Sequence, residues 1–325
     1  MKREFWRPKI IMMNETQPAF RIGTSGWSYP ASAQGSWKGV FYPPGKVDEL
    51  RYYAERFNTV EINSTFYRPP APGYAWGWIK KTPADFEFTI KLWQKFTHPG
   101  MFTQKTGEDS EITQNDVDTF KKGLEPLVKT NKLGCLLVQF PPSFRLAPAN
   151  VEGLDRILSY FKDYPTAVEL RHRSWSDQLP VTEKALTNYG ASLVYIDEPK
   201  FHFSIRQDFK PVGPIFYLRM HGRNVEKWFK SKSAAEKYNY LYSSEELDPF
   251  ITNLNQIKDL RKKLYVYMNN HYAAKAVANA VMIRYKLNLP IDALFWRGLM
   301  EEYPELREFP IKIEEDDSLF EKKRK

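Results

Sequence analysis

Seven short apolar runs in this 325-residue chain each carry a charged or amide residue near their C-terminal end, and this recurrence limits the possible folds more than any other feature. The runs are Val60-Glu61-Ile62-Asn63, Phe88-Thr89-Ile90-Lys91, Leu137-Val138-Gln139, Val168-Glu169-Leu170-Arg171, Tyr195-Ile196-Asp197, Leu218-Arg219-Met220-His221 and Val266-Tyr267-Met268-Asn269. Side chains alternate faces along a strand. If the apolar face of each run packs on helices, the polar face turns toward the middle of the sheet. In a parallel barrel, polar groups at the C-terminal strand ends are where the chemistry is placed.

Amphipathic stretches separate the runs. The pattern predicts strands over 21–27, 59–66, 86–93, 133–140, 167–171, 192–197, 215–221 and 264–269. Helices are expected over 48–57, 74–81, 151–161, 182–189, 245–258 and 273–286, and through Val117, Phe120, Leu124, Leu127 and Val128. Residues 198–213 show no helical spacing. Strand–helix alternation argues for parallel pairing, and eight such units match the size of a single (β/α)8 TIM barrel. An open doubly wound sheet lacks support, because no Gly-rich phosphate fingerprint follows the first strand. The expected organisation is a basic N-terminal extension (1–20), one barrel (21–310) and a charged C-terminal tail (311–325).

The formal net charge is +9. The C-terminal tail is balanced, so most of the excess belongs to the folded body and suits an anionic small molecule or a nucleic acid. Cys135 is the single cysteine and lies in an apolar run, which excludes an internal disulfide or a thiolate cluster and points to a small core residue. No run approaches the length of a membrane helix, and no apolar signal region opens the chain. A cytoplasmic protein with no membrane partner is expected; its oligomeric state is open.

Several blocks resemble one family, DUF72 (YecE-like). They are Gly23-Thr24-Ser25-Gly26-Trp27, Phe41-Tyr42-Pro43-Pro44, Val60 to Tyr67, Gln139-Phe140-Pro141-Pro142, Glu169 to Trp175, Arg219-Met220-His221-Gly222-Arg223 and Tyr267-Met268-Asn269-Asn270. The resemblance runs in chain order over about residues 21–300. It implies a TIM barrel and leaves the reaction open.

With the alternation kept in every strand, the inward set is Glu61, Asn63, Lys91, Gln139, Glu169, Arg171, Asp197, Arg219, His221 and Asn269. So many charges are costly to bury unless they pair or meet a ligand. Glu61 and Glu169 are the candidate general acid and base, or metal ligands. Asp197 would hold His221 in one tautomer. Lys91, Arg171 and Arg219 would clamp a phosphate or carboxylate, with Asn63, Gln139 and Asn269 as neutral partners. Trp27 and Tyr242, from two aromatic loops, would complete the substrate site. A divalent metal is an alternative for the five histidines, although no close ligand spacing is present. The loop 222–244 mixes basic and aromatic residues, as a phosphate-tracking surface does. These features lead to an enzyme on a phosphate-bearing substrate, nucleic acid among the candidates, by acid/base or metal-assisted hydrolysis. A carbohydrate isomerase or glycosidase and a non-catalytic nucleic-acid binder are the rivals.

Overall fold

Eight strands form in the order foreseen. They are β1 (Phe20–Thr24), β2 (Thr59–Ile62), β3 (Glu87–Lys91), β4 (Leu133–Gln139), β5 (Thr166–Glu169), β6 (Ser192–Asp197), β7 (Ile215–Met220) and β8 (Lys263–Met268). The structure is a computed structural model that describes residues 20–29, 35–230, 234–260 and 263–314. Nearly all of the N-terminal extension, and the tail beyond residue 314, lie outside the described residues. Every strand pairing is parallel, in the order β1-β8-β7-β6-β5-β4-β3-β2. The result is a nearly closed (β/α)8 barrel. Helices follow seven of the strands, and none follows β6.

Two of the helices show how the sequence starts them. Thr113 and Asp116 form a reciprocal capping box ahead of Gln114–Lys129, and Ser243 with Glu246 does the same ahead of Ser244–Ile257. Pro72 and Pro148 open two others at the position where a missing N–H costs nothing. No described helix is long and apolar enough to cross a membrane.

The barrel closes between β1 and β2 by side chains more than by a ladder. Ser25 and Glu61 make an isolated parallel bridge. Below it, the Asn58 amide takes the place of a strand neighbour, accepting from the Ile22 N–H at 3.3 Å and donating to the Phe20 carbonyl at 3.0 Å. The Tyr53 hydroxyl accepts from the Thr24 N–H at 2.9 Å and donates to the Thr59 carbonyl at 3.1 Å. A Cβ at Gly23 would sit 2.2 Å from the Thr59 carbonyl oxygen and 2.8 Å from the Tyr53 hydroxyl, so only glycine leaves room for the seam. Tyr53→Phe strands the buried Thr24 N–H and is expected to cost about 1–3 kcal/mol, read as a lower urea midpoint with unchanged slope.

The barrel interior below the strand ends is polar and tyrosine-rich. At the N-terminal end, Glu87 binds Arg21 (3.0 Å), Lys263 (2.8 Å) and the Tyr265 hydroxyl (2.5 Å). One layer up, the Tyr267 hydroxyl lies 2.6 Å from Thr59 Oγ1 and 2.7 Å from Thr89 Oγ1. Above that, Tyr217 donates to Glu61 at 2.8 Å. Part of the high aromatic content therefore fills the barrel, each phenol being satisfied as burial demands. The β3–β4 register shifts at Phe88/Thr89. Gly134 lies in the skipped position, where a Cβ would come within 2.6 Å of the Tyr265 hydroxyl. Cys135 is buried, as its apolar run implied.

Candidate functional site

Arg219, near the end of β7, is the centre of the polar ring. Its Nε and Nη2 donate to the two oxygens of Glu61 on β2, at 2.8 and 2.6 Å. Its Nη1 donates to Glu169 on β5 at 2.5 Å and to Gln139 on β4 at 3.3 Å. Both carboxylates and the guanidinium are buried. The other oxygen of Glu169 accepts from Arg171 Nε at 2.6 Å. The two arginines hold Glu169 well below the usual carboxylate range, against the opposing effect of burial.

Arg171 has one firm bond and two loose ones. Its Nη1 lies 3.4 Å from Glu198 and its Nη2 lies 3.3 Å from Nε2 of His221. The Asn269 amide sits 2.8 Å from Nδ1 of His221. The contacting atom of Asn269 is its Nδ2, and a neutral imidazole has one acceptor nitrogen, so the ring takes a hydrogen from Arg171 or from Asn269 but not from both. Burial, reinforced by Arg171 and Arg219, keeps His221 neutral.

A cavity of about 480 Å³ opens above this network at the C-terminal ends of the strands. Lys91, Arg171 and Arg219 line it, with the amides of Asn63, Gln139 and Asn269 and the rings of Trp27, Tyr29, Phe66, Tyr67 and Tyr238. Among the described residues no carboxylate lines it. Two buried lining atoms, Ser25 Oγ and Asn63 Oδ1, have no hydrogen-bond partner among the described residues. The Lys91 ammonium lies 4.2 Å from the centre of the Phe66 ring. Burial first, then Arg219, lowers its pKa from 10.5 to about 7.

The sequence-derived set therefore divides. Trp27, Asn63, Lys91, Gln139, Arg171, Arg219 and Asn269 share the cavity wall. Glu61, Glu169 and His221 lie beneath it, bound to the arginines. Asp197 does not hold the His221 ring. Its carboxylate accepts from Arg223 (2.9 and 3.1 Å) and from the Tyr242 hydroxyl at 2.6 Å. The parity assumed for β6 is reversed, and Glu198, one residue on, meets Arg171 instead. Burial raises the Glu198 carboxyl above its usual range. Tyr242 is fully buried and also accepts from the Gly222 N–H at 2.8 Å, so it braces the loop and is not part of the cavity wall. Glu198 and Tyr238 were missed as site residues. A frame shift of one residue in β6 would have found the first, but no periodic signal marks a ring on an irregular loop.

The metal alternative fits poorly. Among the described residues no three of His, Cys, Asp and Glu converge on a point that could hold an ion. His172 caps the helix Arg173–Asp177, accepting from the Ser174 N–H at 3.1 Å. His271 stacks on Tyr29 with ring centres 4.5 Å apart, and burial lowers its pKa to about 4. Between Glu61 and Glu169, the place a cation would take is filled by a guanidinium.

Fold and site together define a (β/α)8 barrel with a buried Arg–Glu network beneath a cation-lined cavity. The chain belongs to the family described as "Protein of unknown function DUF72", whose model matches residues 21–302. The UPF0759 protein YunF of Bacillus subtilis is 29% identical over 290 residues, covering 86% of this chain and 98% of that protein. The crystal structure of a DUF72 family protein from Thermotoga maritima is 35% identical, with a TM-score of 0.71 over 83% of this chain and 99% of that one. A DUF72 family structure from Enterococcus faecalis is 26% identical, with a TM-score of 0.71 over 84% and 97% of the two chains.

Proposed function

We propose that the barrel is an enzyme acting on a small hydroxylated molecule that carries a phosphate or carboxylate. The observation that carries this reading is the lining of the cavity, which among the described residues holds three cations, three amides, two oxygens without a hydrogen-bond partner and no carboxylate. The loosely engaged Nη1 and Nη2 of Arg171 suit a bidentate bond to an oxyanion. Ser25 Oγ and Asn63 Oδ1 suit ligand hydroxyls, and the surrounding rings suit a sugar or base face.

The site narrows the chemistry foreseen from sequence. A general acid must hold a proton at working pH, whereas Glu169 is kept ionised and both oxygens of Glu61 are taken by Nε and Nη2 of Arg219. Glycoside hydrolysis through that pair is disfavoured for the same reason. Lys91, neutral in part near pH 7, is the better proton acceptor. A nucleic-acid surface on loop 222–244 has less support, because Trp228 and Tyr242 are buried.

Titration with inorganic phosphate tests the reading. Wild-type protein is expected to bind it and to gain thermal stability. Arg171→Gln is expected to weaken binding about tenfold or more. No binding of phosphate or of citrate by the wild type would sink the proposal. Tight, salt-sensitive binding of single-stranded DNA that survives Arg171→Gln would favour the non-catalytic binder.

A further inference from the structure

The proton-acceptor role does not exhaust what Lys91 offers. It ends β3 at the barrel mouth, and its amine lies over the Phe66 ring inside the cavity. Among the described residues no carboxylate forms an ion pair with it and no acceptor takes its hydrogens. The two nearby carboxylates, Glu61 and Glu169, are committed to Arg219 and Arg171. By contrast, Lys95, four residues on, is paired with Asp116 at 2.8 Å. A lysine serving only as a structural cation would be paired in that way. An amine held in an aromatic wall, free of acceptors and beside two guanidiniums, has the setting of a carbonyl-condensing lysine.

We propose that Lys91 is a covalent nucleophile whose Nζ condenses with the carbonyl carbon of an anionic aldehyde or ketone seated in the cavity, forming a Schiff base. This rests on the anion-binding reading above, because Arg171 anchors the substrate's charged end while its carbonyl reaches Lys91. In the addition step the nitrogen lone pair forms the N–C bond. The C=O π electrons move to oxygen, which gains a proton, and nitrogen loses one. The carbinolamine then loses its hydroxyl together with the remaining N–H proton as one water molecule, and the nitrogen lone pair closes the C=N bond. Amine and carbonyl give imine and water, with no oxidant or reductant required. The lowered basicity of Lys91 leaves much of the amine unprotonated near neutral pH, the form that adds to carbonyls.

Reductive trapping tests this on the intact protein. Glycolaldehyde phosphate, at limiting concentration with cyanoborohydride, is expected to label Lys91 about tenfold or more above surface lysines in a tryptic peptide map, because ordinary lysines are almost fully protonated at neutral pH. Excess inorganic phosphate should remove that preference, and uncharged glycolaldehyde should show little of it. Lys91→Met should lose the specific adduct. A label spread over surface lysines, with Lys91 taking no more than its share, overturns the inference. If phosphate binding persists in that case, the anion site stands without covalent chemistry. If phosphate binding is also absent, both readings fall. The wild-type map decides the matter even where the variant folds poorly.

Discussion

Arg219→Met is expected to lower unfolding free energy by about 3–5 kcal/mol at neutral pH, because it leaves Glu61 and Glu169 as buried carboxylates without their shared partner. The size follows from geometry. Arg219 donates to three side chains, and two of these are fully buried acids at 2.5–2.8 Å. Methionine fills comparable volume but supplies no donors. The pH dependence separates this cause from simple loss of packing. In the wild type, the folded pKa of Glu169 is depressed below its ordinary 4.5. That carboxylate contributes stability above its unfolded pKa, and the contribution is lost as pH falls through the folded value. In the variant, Glu169 keeps Arg171 but loses the larger of its two guanidinium partners, so burial weighs more against its charge and the deficit should shrink as pH is lowered toward 4.5 and below. Urea unfolding at several pH values reads this directly. A deficit of the same size at every pH would mean that the network contributes only packing.

Most of the fold was legible in the chain because the runs alternate so regularly. Glu61, Glu169 and Arg219 meet across the barrel because each follows the parity of its strand. The same rule failed at Asp197. Nothing in Tyr195-Ile196-Asp197-Glu198 says which of two adjacent acids faces inward, since both flank apolar residues. The faces are decided by Arg223 and Tyr242 on one side and Arg171 on the other, and these partners are distant in sequence. The strand ends show a related limit. The expected strand over 59–66 stops at Ile62 and turns through Ser64–Phe66, which brings Asn63 and Phe66 to the cavity wall. The seam is another tertiary effect: the roles of Tyr53 and Asn58 arise because β1 and β2 close with little ladder between them. The charge of the inner ring was visible, but not its division into a committed lower layer and an open upper wall. That division depends on which cation reaches which carboxylate, and Arg219, with five donors, takes both buried carboxylates and leaves Lys91 with no acceptor among the described residues.

Lys91→Met should make the protein more stable, by about 2–4 kcal/mol near pH 6, once the open side of the cavity is allowed for. The groups acting on this amine come from several strands. Arg219 on β7 and Arg171 beyond β5 disfavour its charge, Glu169 on β5 and Glu61 on β2 favour it, and burial outweighs them all. Nearby His98 is itself held near pH 4 by burial and by Lys91, so it adds no charge at neutral pH. With a folded pKa of about 7 against 10.5 unfolded, the unfolded chain binds more protons between those values. Wild-type stability attributable to Lys91 therefore rises with pH through that window, and below about pH 7 the native state carries a half-buried charge with no carboxylate partner among the described residues. The advantage of the methionine variant should be fully present near pH 6 and should fade as pH rises toward 10.5. Denaturant midpoints for both proteins across this range measure it. A variant less stable than wild type at pH 6 would show that the ammonium is a supporting cation of the ring, and would remove the physical basis for a reactive amine at this position. A gain that declines with pH would show instead that the fold gives up stability to hold a neutral amine at the barrel mouth, a sacrifice expected where the strained group serves the chemistry.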